Sequence, residues 1–175
     1  MDVIEAIKTR RSIRKFDTNN YVSDDLIKKI IECAGWAPSA HNQQPWHFIV
    51  FRDSNRKIKI AERSKWAKFF EHAPVGIVVL TDFSLARESK GDKLLKYYCL
   101  QDSAAAVENL LLSAWNYNLG TCWIGDFDEE QLYDLFNISK NWVPVGIIAM
   151  GYPDQQWSGK ASPRRNVEEI VDFVE

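Results

Sequence analysis

The apolar positions of this chain change along its length between helical spacing and unbroken runs, a pattern typical of helices that cover buried strands. Helical spacing predicts a short helix from Asp2, a second from Ser23 to before Pro38, and helices over residues 54–71, 100–120 and 128–136. Unbroken apolar runs predict strands at WHFIVF (46–51), PVGIVVLTD (74–82), TCWIGDF (121–127) and VPVGIIAMGYP (143–153). This order predicts an α+β fold with four core strands, in a single domain spanning residues 1–175.

Three stretches between and after these elements add to the picture. Gly120 follows the longest helical pattern and is expected to end that helix. The polar stretch 84–93 is expected to form a mobile loop or a short lid. The apolar tail EEIVDFVE (168–175) has no partner element in the sequence, so we expect a second subunit to bury it.

Composition narrows the class of protein. Among the 175 residues 46% are hydrophobic and 26% charged, which is ordinary for a globular domain. The net charge of −2 argues against nucleic acid as a partner. The N-terminus does not resemble a secretory signal, and no apolar run approaches the roughly 18 residues of a membrane span. The expectation is a cytoplasmic protein with neither a nucleic-acid nor a membrane partner; its histidines and cysteines show no metal-ligand spacing.

A cluster of cations near the start is the first candidate for chemistry. In RRSIRKF (10–16), Arg10, Arg11 and Arg14 surround Ser12. Guanidinium groups and a hydroxyl suit the oxygens of a phosphate. Cations at a helix C-terminus also complement the helix dipole. Residue types alone leave both interpretations open.

The second candidate is WAPSAHNQQPW (36–46), which is unusually polar for a connecting segment. Ser39, Asn42 and Gln44 can each donate and accept hydrogen bonds, as the edge of a polar heterocycle requires. Trp36 and Trp46 are placed to wall such a ring. The alternative is a capped turn in solvent.

Two further stretches complete the set. NLGTCWIG (118–125) places a glycine-bounded strand end where backbone N–H groups can approach a ligand, or else forms a buried strand edge. Arg164 and Arg165 form a second cationic pair, which alone indicates a solvated face. Taken together, a phosphate-binding start, an amide-rich loop and a glycine strand end match a mononucleotide with a polar aromatic ring. Flavin mononucleotide (FMN) is the natural candidate.

The same motifs, in the same order, resemble the FMN-dependent nitroreductase family. The resemblance is carried by RRSIRKF, APSAHNQQPW, QDSAAAVENLLLSA (101–114), LGTCWIG (119–125), MGYP (150–153) and PRRNVEEIV (163–171). It covers essentially the whole chain, at the length of the compact branch of that family. It implies a mixed β-sheet of four core strands surrounded by helices. It also implies an intertwined homodimer with the C-terminal tail exchanged onto the partner.

The resemblance also implies roles for individual residues. The residues matching the family's phosphate-binding positions are Arg10, Arg11, Ser12, Arg14, Arg164 and Arg165. Those matching the loop that meets the flavin, commonly from the partner subunit, are Pro38, Ser39, Ala40, Asn42 and Gln44. Those whose backbone faces the flavin ring are Cys122, Trp123, Ile124 and Gly125. His41 stands where glycine is frequent in the family, and residues 84–97 form a short, charged cover.

The implied activity is that of an oxidoreductase with bound FMN. A hydride passes from NAD(P)H through the flavin to a nitroaromatic, a quinone or a similar small acceptor by ping-pong kinetics, and no protein side chain serves as a nucleophile. Two alternatives stay open at this point. One is a protein that binds FMN or senses redox state without efficient turnover. The other is a specialised relative that dehalogenates its substrate or cleaves a flavin.

Overall fold

The computed structural model describes residues 1–85, 92–154 and 162–174. The helices are α1 (Val3–Thr9), α2 (Asp24–Gly35), α3 (Ser54–Arg63), α4 (Asp92–Asn116) and α5 (Glu129–Phe136). The strands are β1 (Trp46–Phe51), β2 (Val75–Asp82), β3 (Gly120–Ile124) and β4 (Trp142–Gly151). Among the described residues, no helix combines the length and the apolar character needed to cross a bilayer.

The strands form one sheet in the order β1-β2-β4-β3, with every neighbouring pair antiparallel. The segment after α1 adds a parallel bridge, in which Ser12 pairs with Thr121 of β3. The predicted α+β fold with four core strands surrounded by helices is therefore confirmed, and the four strands themselves are antiparallel, with the parallel pairing confined to the Ser12 bridge.

The core lies on both faces of the sheet, because successive side chains of a strand point to opposite sides. On one face, Ile77 of β2 and Ile148 of β4 pack with the buried stripes of α2 and α4. On the other face, Val78 and Ile147 pack with α3 and α5. Burial of each of these branched side chains stabilises the fold by about 1.5–3 kcal/mol. Helices on both faces explain why β2 and β4 are unbroken apolar runs.

Helix α4 differs from the prediction at both ends. It begins at Asp92 rather than near residue 100, and it ends at Asn116. Asn118, with φ 60°, adopts the left-handed conformation that follows many helices. Gly120 was predicted to end this helix, but it is the first residue of β3. A Cβ atom at Gly120 would lie 2.6 Å from Cγ1 of Ile13, so close packing against the N-terminal segment requires this glycine.

Helix α3 is shorter than the predicted 54–71. It ends at Arg63, and a 3₁₀ turn follows at Lys68–His72. The turn between them, residues 64–67, is held by Asp126, which accepts hydrogen bonds from the backbone N–H groups of Lys65 and Trp66. Those N–H groups bond a distant carboxylate instead of the carbonyls of α3, which is why the helix stops.

The C-terminal tail lies in solvent within one chain. It contains a 3₁₀ turn at Val167–Glu169, and the side chains of Phe173 and Val174 are 92% and 93% exposed. Helix α1 likewise exposes the apolar side chains of Val3 and Ile4. Residues 86–91 of the predicted loop over 84–93 lie outside the described residues; residues 84 and 85 belong to a 3₁₀ turn at Phe83–Leu85, and residues 92 and 93 belong to α4 rather than to a loop.

Candidate functional site

The basic segment after α1 lies against the outer edge of β3. Backbone N–H of Ile13 donates to the carbonyl of Thr121 at 2.8 Å, and the Ile13 side chain is fully buried beside Gly120. This anchor places Ser12 and Arg14 next to Cys122. The pKa of the Cys122 thiol is raised by burial, while Arg14, a hydrogen bond from Ser12, and Arg10 act in the opposite direction. Ser12, Arg14 and Arg10 therefore all lie close enough to Cys122 to influence its thiol.

The arginines of this segment hold donors that lack partners. The Nε atoms of Arg10 and Arg11 are both buried and have no hydrogen-bond partner. Arg10 Nε lies 3.9 Å from Oε1 of Glu108, a long ion pair. Leaving a buried donor unsatisfied costs about 1–3 kcal/mol. An anion such as a phosphate fits this donor set.

Arg11 also has a second role. Its Nη1 donates to the backbone carbonyls of Lys8 and Arg10, both at 2.7 Å. These carbonyls lie at the C-terminal end of α1, where a cation complements the helix dipole. The helix-end interpretation of the basic cluster therefore applies to Arg11, and phosphate binding by Arg10, Ser12 and Arg14 stays a prediction.

A cavity of about 100 Å³ opens beside this cluster. Its lining comprises Arg14, Trp66, Ala67, Cys122, Trp123, Ile124, Gly125 and Asp126. The predicted ring-facing segment 122–125 therefore shares one cavity with Arg14. An added Cβ at Gly125 would meet no atom within 4 Å, so open space lies above this residue.

Three residues of this cavity, Trp66, Ala67 and Asp126, were absent from the sequence-predicted set. The sequence contained a weak signal for Trp66, a single aromatic residue in the polar stretch SKWAK (64–68). It contained no signal for Asp126, because the hydrogen bonds of its carboxylate go to residues about sixty positions earlier.

The loop over residues 36–46 is strained. His41, Asn42 and Gln44 have φ values of 54°, 57° and 49°, in the left-handed region that favours glycine. Such residues cost of order 1–3 kcal/mol each and cluster at functional sites. The left-handed conformation at His41 explains why glycine would suit this position, where it is frequent in the family that the motifs resemble.

Hydrogen bonds hold the loop in this shape. Ser39 Oγ accepts from the backbone N–H of Gln44 at 3.0 Å, and Ala40 N–H donates to Oδ2 of Asp102 on α4, also at 3.0 Å. Gln44 Nε2 donates to Oδ1 of Asn42 at 3.2 Å. Pro38 leads into this arrangement, while Trp36 is 82% exposed and Trp46 packs against the core. The loop is a fixed structure rather than a loosely solvated turn.

One chain does not bring this loop to the basic cluster. The loop precedes β1 at one edge of the sheet, and Cys122 lies on β3 at the opposite edge. The register aligns Cys122 with Phe51 at the far end of β1, through Ala149 and Gly76. Three strand spacings and about five residues along the strands separate the two parts by roughly 20 Å.

The late arginines lie on the exposed tail. Arg165 Nε is 3.3 Å from Oε2 of Glu169, and its Nη2 donates to the carbonyl of the same residue. Arg165 is therefore engaged within its own turn, and Arg164 is exposed beside it. The structure thus brings Arg10, Ser12 and Arg14 together with segment 122–125, and it leaves the 38–44 loop and the late arginines elsewhere.

Comparison with known proteins decides the family. A family model described as "Nitroreductase family" matches residues 7–67 and 59–152, which is most of the chain. The chain belongs to the nitroreductase family. The resemblance seen in the sequence motifs is confirmed.

Individual nitroreductase-family relatives agree with this assignment. A protein of Methanothermobacter thermautotrophicus, provisionally named NADH dehydrogenase/NAD(P)H nitroreductase, is 39% identical over 87% of this chain and 78% of its own length. A structure from Desulfovibrio desulfuricans, described as a nitroreductase in complex with FMN, is 29% identical with a TM-score of 0.84, covering 100% of this chain and 98% of its own. A structure from Exiguobacterium sibiricum, also described as a nitroreductase in complex with FMN, is 26% identical with a TM-score of 0.90. The match covers 99% of this chain and 98% of that structure's chain.

Proposed function

We propose that this nitroreductase-family protein binds FMN and uses NAD(P)H to reduce a small nitroaromatic, quinone or similar acceptor. The observation that carries the proposal is that the segment containing Arg10, Ser12 and Arg14 lies against β3, where Arg14 lines the cavity and the buried Nε of Arg10 lacks a hydrogen-bond partner. Relatives named NAD(P)H nitroreductase or described in complex with FMN support the same cofactors.

Different residues of this chain contact different parts of FMN in this proposal. Arg10, Ser12 and Arg14 bind the phosphate, because guanidinium groups and a hydroxyl satisfy its oxygens. Arg11 holds the end of α1 and so positions Arg10, while Arg164 and Arg165 approach from the tail. Residues Cys122–Gly125 supply backbone groups toward the ring, and the open space above Gly125 leaves room for it.

The hydride chemistry is supplied by FMN when it is bound, so NAD(P)H and the acceptor use one place in turn with ping-pong kinetics. The protein binds and orients the reactants and limits the access of water. Cys122 is unsuited to act as a nucleophile, because it is buried and burial raises the pKa of its thiol.

A second copy of the chain completes the site. The strained loop and the basic cluster lie at opposite edges of one sheet, so the loop over residues 38–44 of another copy is the segment that reaches the cavity. The exposed apolar faces support this occupant, since α1 and the tail both present large apolar side chains to solvent. We infer a homodimer in which the tail packs on the partner.

The test of the proposed function begins with the absorption spectrum of the purified protein and the identification of any released flavin by mass spectrometry. Oxidation of NADH and NADPH is then followed with and without menadione or nitrofurazone. We expect one FMN per chain and acceptor-dependent turnover. A flavin-loaded protein that shows no such turnover would instead favour FMN binding or redox sensing. A protein that takes up no FMN would refute the proposal.

Assembly is tested by light scattering of the flavin-loaded protein. We expect twice the chain mass of 20.2 kDa. A monomer that retains its flavin would contradict the shared site.

A further inference from the structure

The turn over residues 64–67 is clamped by a single carboxylate. Oδ2 of Asp126 accepts from Ser64 Oγ at 2.9 Å, from Lys65 N–H at 2.7 Å and from Trp66 N–H at 3.0 Å. Ser64 Oγ in turn accepts from the N–H of Ala67 at 2.9 Å. The hydrogen bonds from Ser64 and Trp66 lower the pKa of Asp126, so its carboxylate stays ionised at neutral pH. Asp126 directly follows Gly125, and the clamp therefore fixes the turn relative to the end of β3.

The clamp places a large aromatic side chain at the edge of the cavity. Trp66 is 71% exposed, yet it lines the same cavity as Arg14 and Gly125. An exposed tryptophan on a turn held at fixed geometry offers a flat apolar face at low entropic cost. This face suits a planar ring that enters the cavity.

A cation lies beside Trp66. Lys65 Nζ is 5.0 Å from the centroid of the Trp66 ring, and Arg14 lines the same cavity as Trp66. The nearby carboxylate of Asp126 is occupied by its three donors on the turn, and Asp128 pairs with Arg63 at 2.5 Å. With Arg14 assigned to the phosphate, Lys65 is the cation placed to meet an entering acceptor, and its ammonium group also interacts with the Asp126 carboxylate.

We propose that Trp66 and Lys65, positioned by Asp126, form the acceptor-binding wall and select planar aromatic acceptors that carry a carboxylate or sulfonate group. Trp66 stacks on the ring, and Lys65 attracts the anionic group. Asp126 is a positioning residue that acts through the turn. This inference rests on the proposed function, since it assigns the acceptor class of that same site.

The test compares two acceptors with the same ring, 1,4-naphthoquinone and 1,4-naphthoquinone-2-sulfonate. The Lys65→Gln variant is expected to lose about fivefold in kcat/KM for the sulfonate, the factor expected from one exposed ion pair, and less than twofold for the neutral quinone. Trp66→Ala should raise KM for both acceptors with little change in kcat, and Trp66→Phe should restore part of the loss. Asp126→Asn should raise KM for both acceptors at unchanged flavin content.

The control variant is Tyr21→Ala, which removes an aromatic side chain of similar exposure (68%) that does not line the cavity. Tyr21→Ala should leave KM and kcat/KM unchanged for both acceptors. A readout independent of turnover is the calorimetric dissociation constant of 2-naphthalenesulfonate, which is not reduced. It should weaken about fivefold in Lys65→Gln and stay unchanged in Tyr21→Ala.

The outcomes separate the two proposals. A wild-type protein without flavin or acceptor turnover would refute the proposed function, and the acceptor wall with it. If the wild type is active but Lys65→Gln has the same ratio of kcat/KM for the two quinones, only the charge selection is overturned. Unchanged KM values in Trp66→Ala would overturn only the wall.

Discussion

Replacing Arg10 with alanine should separate cofactor binding from protein stability. The Arg10 guanidinium has a buried Nε without a hydrogen-bond partner and a long 3.9 Å ion pair with Glu108. Hydrogen bonds from a charged donor contribute about 1.5–3 kcal/mol. Loss of the phosphate contact should therefore weaken FMN binding by about 10- to 100-fold.

The stability of the apoprotein should hardly change in the same variant. Removing the arginine removes a buried unpaired donor, and this gain offsets the lost packing of the side-chain stem. We expect a change in the free energy of unfolding within about 1 kcal/mol, or about 2–4 °C in Tm for a chain of this size. The assay is FMN titration of apoprotein by flavin fluorescence, with thermal unfolding followed by circular dichroism.

Arg52→Ala is the matched control. Arg52 Nη2 donates to the carbonyl of Val22 and pairs with Oδ1 of Asp24, both at 2.7 Å, and Arg52 does not line the cavity. Its removal should destabilise the fold by about 1 kcal/mol and leave FMN affinity unchanged. The reasoning fails if Arg10→Ala binds FMN within twofold of wild type, or if it lowers the Tm of the apoprotein more than Arg52→Ala does.

Four further outcomes follow from the structure. Gly146→Ala should destabilise the fold by about 1–3 kcal/mol in chemical denaturation, because the added Cβ would lie 2.3 Å from Nε1 of Trp123; an unchanged midpoint would contradict this close packing. His41→Gly should raise Tm slightly, since relief of roughly 1–2 kcal/mol of left-handed strain exceeds the backbone-entropy cost of glycine; a lower Tm would argue that His41 makes compensating contacts. The Asp126 clamp has a folded-state pKa below its unfolded value of about 3.9, so its stabilisation is present above that pH and is lost as pH falls through the lower folded value. Melting curves from pH 7 downward should show wild type losing its advantage over Asp126→Asn only in acid. Phe173→Asp should weaken the dimer in sedimentation velocity if the tail packs on a partner, and an unaltered dimer would place the tail elsewhere.

The sheet could be predicted because its signal is local. The unbroken apolar run of β2 is buried along almost its whole length, and such a run between turn residues permits few other structures. The helix starts are local in the same way. Asp2, Ser23 and Asp128 each cap a helix by accepting from the backbone N–H three residues later.

The errors arose where distant residues decide the local structure. Helix α3 ends because Asp126 captures the N–H groups of Lys65 and Trp66, and nothing within residues 54–71 announces that partner. Gly120 was assigned to a helix end, although its function is to admit the side chain of Ile13. A glycine that ends a helix and a glycine that admits a neighbouring side chain look the same in the sequence.

The candidate site could be predicted only in part from the sequence, for a related reason. Residue types and motif order singled out Arg10, Ser12 and Arg14, but the pairing of Ser12 with β3, which places them near Cys122, is a tertiary contact. The left-handed residues of the 36–46 loop could not be foreseen, because His41 and Gln44 are unusual there. The strain itself supports a functional role for the loop, since such residues cluster at functional sites.

The separation of the loop from the basic cluster links cofactor binding to assembly. If a second copy supplies the loop, FMN contacts both subunits, and a ligand that binds only the dimer stabilises the dimer by mass action. The linkage is reciprocal: the factor by which FMN tightens the dimer equals the factor by which dimerisation tightens FMN binding. Arg10→Ala, which weakens the cofactor at one edge of the sheet, should then weaken the dimer when FMN is present and leave the apoprotein dimer unchanged. Sedimentation of both forms tests this coupling, and equal effects with and without FMN would mean that the loop serves the interface alone.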